Sequence, residues 1–128
     1  MGRVTTAVTA GEERLIALAS EAPRGPRQDG LYALWLTLRV AEGLLPPDQV
    51  SVKNHRRRLQ ALEQRLGGLA LPAPLKRALV AARHHLEPGT PRAAALVLQE
   101  LLAPTREVLG SEAEAAVAVA ARAARVHL

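Results

Sequence analysis

The chain has 128 residues, 48% of them hydrophobic, with one Trp, one Tyr, one Met and no Phe or Cys. That is enough for one domain with a single core of Leu, Ala and Val, and it excludes disulfides, thiolate metal sites and a cysteine nucleophile. The formal net charge of +5 is concentrated: from Lys53 to Arg83, eight cations stand against Glu63 alone, which points to an anionic partner.

Residues 1–9 read as a flexible N-terminal arm, and 10–128 as a single helical-bundle domain. The opening MGRVTTAVTAGEERL lacks the apolar run of a signal peptide. No stretch approaches the roughly 18 apolar residues of a membrane span. A cytoplasmic protein with no membrane partner is the expectation.

Thr9 and Glu12 have capping-box spacing and open a first helix that runs to about Glu21. Pro23, Gly25 and Pro26 end it. Asp29 is the expected cap of a second helix, in which Leu31, Leu34, Trp35, Leu38 and Leu45 follow helical spacing while Tyr32, Leu36 and Val40 make other faces apolar. A helix apolar nearly all round is central, so Trp35 is expected to be buried. Pro46-Pro47 stops it. Asp48 or Ser51 caps a third helix whose Val52, His55, Leu59, Leu62 and Leu66 form an inward seam.

Gly67-Gly68 closes that helix, and Pro72 and Pro74 open a fourth, with Leu75, Ala78, Leu79, Ala82 and Leu86 inward. Pro88-Gly89 ends it. Thr90-Pro91 is a cap followed by proline at the first helical position, Pro104 breaks or kinks the fifth helix, and Gly110 ends it. Ser111 with Glu114 is a second capping box, opening an Ala-rich last helix. That helix is either sandwiched inside the bundle or forms a subunit interface. The fold class is all-α: a compact antiparallel bundle of five to six helices.

SVKNHRRRL, Ser51 to Leu59, carries the strongest functional signal. With its seam turned inward, Lys53 and Arg57 point outward and Arg58 and Arg65 share a flank, a face suited to phosphates. The candidate anion or nucleic-acid contacts are Lys53, Asn54, Arg56, Arg57, Arg58, Arg65, Lys76, Arg77 and Arg83. Ser51, Val52, Lys53, Asn54, His55 and Leu59 resemble the DNA-recognition helix of LuxR-type helix-turn-helix regulators. That resemblance implies that Lys53, Asn54, Arg56 and Arg57 face DNA. Pro46-Pro47-Asp48, however, stands where that family has a positioning helix, and Leu62-Glu63 replaces its basic-then-apolar pair.

RRLQALEQRLGGLALPAPLKRAL resembles, in its leucine and proline rhythm, the helical domain shared by steroid receptor RNA activator protein and an outer-coat COPII subunit. The aromatic and lysine features of that domain's last helix are absent. Arg77 with His84, and Arg122 with His127, are similar in spacing to the Arg–His motif of HEPN ribonucleases.

No His pair, carboxylate pair or Glu-x-x-His spacing marks a metal site, and no glycine-rich phosphate loop or nucleophile elbow is present. No cofactor and no catalytic residue are expected. Two readings follow. The first is a non-enzymatic protein–protein interaction or scaffolding module that self-associates as a homodimer, because apolar helix faces are in surplus. The second is a DNA- or RNA-binding protein working through Lys53–Arg83.

Overall fold

Proline and glycine partition this chain into helices. A computed structural model describes residues 3–128, with side chains from Ala7 onward. The order is α1 (Arg3–Glu21), α2 (Pro26–Glu42), α3 (Val52–Gly68), α4 (Ala73–His85), α5 (Pro91–Glu100), α6 (Leu102–Leu109), α7 (Ser111–Ala124) and a closing 3₁₀ turn, Arg125–His127. About 80% is helix, and no strand occurs among the described residues. Pro104 lacks the N–H that would bond the carbonyl of Glu100, and the helix breaks at Leu101. With α5 and α6 taken as one bent helix there are six, the bundle expected from the sequence.

Of the segment read as an arm, residues 3–9 are the first turns of α1, and Val8 is fully buried; residues 1–2 lie outside the described ones. Thr9 and Glu12 are therefore helix-interior residues rather than a capping box. The Thr9 hydroxyl donates to the Glu42 carboxylate, and Glu12 is buried.

The central helix is α2, packed against α1, α3, α4, α5 and α6. It starts at Pro26, not after Asp29: Gly25 (φ 148°) makes the entry turn and proline occupies the first helical turn. Asp29 instead accepts the Ala70 N–H at 2.9 Å, tying α2 to the α3–α4 turn. Leu31, Leu34 and Leu38 are fully buried. Trp35, expected inside, is only half-buried. It stands about 100° round the helix from Leu34, 5.4 Å from the Tyr32 ring, with the Arg39 guanidinium 5.2 Å from its own ring centroid.

The Ala-rich helix α7 is sandwiched. Ala113, Ala116, Val117, Ala120, Ala121 and Ala124 are buried, and α1, α5 and α6 surround it. The approach to α1 is close because Gly11 meets Ala116: a Cβ on Gly11 would lie 2.6 Å from the Ala116 carbonyl oxygen. The Ser111–Glu114 box does not form. Gly110 (φ 95°) precedes the helix, which starts without a side-chain cap.

Candidate anion-binding surface

The third helix rests on α2 and α4, which leaves one side of it to solvent. Its entry is capped as expected: the Asn54 N–H donates to Ser51 Oγ at 3.2 Å. His55, Leu59, Leu62 and Leu66 are buried, and His55 Nε2 donates to the Leu86 carbonyl at 2.7 Å, pinning α3 to the end of α4. The seam ends there. Val52 is 71% exposed, because as the first residue of α3 it has no neighbouring helix over it.

With this seam inward, the nine candidate cations and amides fall into separate groups. Lys53, Asn54, Arg56 and Arg57 are exposed on the first two turns of α3. Arg58 and Arg65 turn toward α2, where they meet Arg39, a residue that sequence reasoning did not select. Arg58 is half-buried. Its Nη1 donates to the Arg39 carbonyl at 3.4 Å and packs over Gly43, where a Cβ would come within 2.6 Å of it.

On α4, Lys76 and Arg77 are exposed and line a shallow depression with Val80 and His84. Arg83 is withdrawn from the set. Its side chain is 14% exposed and bridges Glu87 at 2.5 Å and Glu63 at 3.9 Å. That hydrogen bond holds the Glu87 carboxyl below the usual range. The basic stretch is therefore not one continuous field: Glu63 and Glu87 interrupt it on the α3–α4 side.

Behind Arg39 and Arg58 lies a carboxyl pair. Glu12 is 6% exposed and hydrogen-bonded to Glu42. Burial and this neighbour push its pKa up to about 8, against the opposing pull of Arg39 and Arg58. Glu12 thus holds its proton at neutral pH.

Among the described residues, no three His, Asp or Glu side chains come together to hold a metal, and no helix is long and apolar enough to cross a membrane. His84 lies 3.6 Å from Glu87 and His85 2.7 Å from Glu100. Turns, not a positioning helix, precede α3 over residues 43–51, so the element that a LuxR-type arrangement needs is missing. No family model, curated protein or solved structure matches the chain.

Proposed function

We propose that this protein is a non-enzymatic interaction module that binds an acidic segment of a partner protein through the outward face of α3. One observation carries the reading: Lys53, Arg56, Arg57 and Arg65 are exposed and have no ion-pair partner among the described residues. They stand on a helix fixed by a capped start and a buried seam, so little ordering is needed before binding. Interruption by Glu63 and Glu87 favours a short acidic segment over a long, uniform polyanion. Binding of a short, fluorescently labelled oligoglutamate peptide, followed by fluorescence anisotropy, tests this. Complexes should form at low salt and weaken steeply as salt rises. Arg56→Ala with Arg57→Ala should reduce affinity about tenfold while leaving the melting temperature unchanged. Absence of binding at low salt, or affinity indifferent to the double substitution, rejects the reading.

A second reading, DNA or RNA binding, is favoured by the absence of any acid among Lys53, Asn54, Arg56 and Arg57 in the first turns of α3. It predicts that the same double variant lowers the log–log salt slope on duplex DNA by about one to two. Sequence preference should be slight, because α3 and α4 carry no Phe, Tyr or Trp to stack on bases.

Self-association belongs to the first reading. With α7 packed inside the bundle, the apolar side chains left outside at the end of the chain are Val119, Val126 and Leu128. Val119 lies on α7 and Val126 in the closing 3₁₀ turn. A homodimer contact is proposed over these exposed side chains.

A further inference from the structure

Between α2 and α3 runs a groove of 270 Å³. Its floor is apolar: Leu36, Val40, Ala61 and Leu62 line it, and Val40 and Leu62 belong to the buried core. Its rim carries three guanidinium groups, Arg39, Arg58 and Arg65, together with Tyr32, and no carboxylate lines it. Two of these arginines are held in place. Arg39 stacks over Trp35, and Arg58 is tethered to the Arg39 carbonyl and seated on Gly43. Burial and the neighbouring Glu42 favour the neutral form of Glu12 behind them.

We propose that this groove is a binding site for a small organic anion, a carboxylate borne on an apolar body. The apolar floor disfavours a fully hydrated ion such as inorganic phosphate. The three guanidinium groups disfavour a neutral apolar molecule, which would desolvate them without replacing their hydrogen bonds. A carboxylate at the rim receives paired N–H donors from arginine, while the body covers Leu36 and Leu62. The volume is at the small end of ligand pockets, about 300 Å³ and upward, which fits a short alkyl chain. This site goes beyond the acidic-segment reading: Arg65 lies on both surfaces, but Arg56 and Arg57 do not line the groove, so their double variant separates the two.

Octanoate is a suitable probe, titrated below its micellar range and followed both by calorimetry and by Trp35 fluorescence. Trp35 is the only tryptophan, and Arg39 on its face reports any rearrangement at the rim. Octanoate should bind and change the Trp35 emission, while octanol and acetate should each bind at least about tenfold more weakly. Arg58→Ala and Arg65→Ala should each weaken octanoate about tenfold. Arg56→Ala with Arg57→Ala should leave octanoate binding unchanged. Arg65 is exposed, so its variant keeps the test decisive even where Arg58→Ala fails to fold. Absence of octanoate binding, octanol binding as tightly as octanoate, or octanoate binding unaffected in Arg65→Ala would each overturn the proposal.

Discussion

Two single residues show how little slack this core has. Gly11 is buried in α1 against α7, and an added methyl would strike the Ala116 backbone oxygen, which cannot rotate away. Alanine is the better helix former by about 1 kcal/mol, so propensity alone predicts that Gly11→Ala stabilises. The 2.6 Å clash reverses the sign. We expect a loss of about 1–3 kcal/mol, read as a lower urea midpoint. Glu12 gives a pH signature. Its pKa is raised from 4.5 to about 8, so between those values the folded state holds a proton that the unfolded chain has released. The Glu12 contribution to stability therefore falls as pH rises from about 4.5 to 8 and is flat on either side. Glu12→Gln should remove that slope, and thermal melts between pH 4 and 9 check it. A wild-type slope that persists in the variant would assign the proton elsewhere.

At the scale of elements, the structure separates signals that are local from those that are not. Ser51 and Thr90 cap α3 and α5 because a cap needs only its own next three residues. Ser51→Ala should cost about 1 kcal/mol, visible as a small drop in melting temperature. The Asp29 and Ser111 caps fail for a reason equally local but stronger: Pro26 fixes a helical start three residues earlier, and Gly110 sets the turn before α7. Trp35 was misread because α2 is apolar on several faces, and spacing alone does not say which face other helices cover. Leu31, Leu34 and Leu38 take the inward stripe, leaving the indole at the edge under Arg39. Its native emission maximum should accordingly fall between those of a buried and a water-exposed tryptophan. A fully blue-shifted maximum would contradict this position. The place of α7 was open in the sequence for the same reason, since Ala and Val suit either a helix sandwich or a subunit contact.

For the whole molecule, the all-α bundle was legible because caps, prolines and glycines agree with the apolar periodicity. The candidate surface was legible only in part. The outward direction of Lys53, Arg56 and Arg57 follows from the inward seam of α3. The neutralisation of Arg83 by Glu63 and Glu87 requires knowing how α3 and α4 lie together. The groove role of Arg39 and the burial of Glu12, read as a cap, were not legible because their partners are on other helices. Self-association was inferred from surplus apolar faces, and the packing of α7 takes up much of that surplus. The apolar side chains still exposed, Val119, Val126 and Leu128, predict a dimer at tens of micromolar that Val126→Glu converts to monomer. Sedimentation velocity on both proteins reads this directly, and a wild-type monomer would end it.

The central claim is that the outward face of α3 meets an acidic protein segment. Amide chemical-shift mapping of the ¹⁵N-labelled protein during titration with a short oligoglutamate peptide at low salt tests it most directly. The account predicts shifts that concentrate at Lys53, Asn54, Arg56, Arg57 and Arg65, fade with added salt, and spare the buried α1–α7 contact. Shifts centred on other elements, or a spectrum unchanged by the peptide, would contradict it.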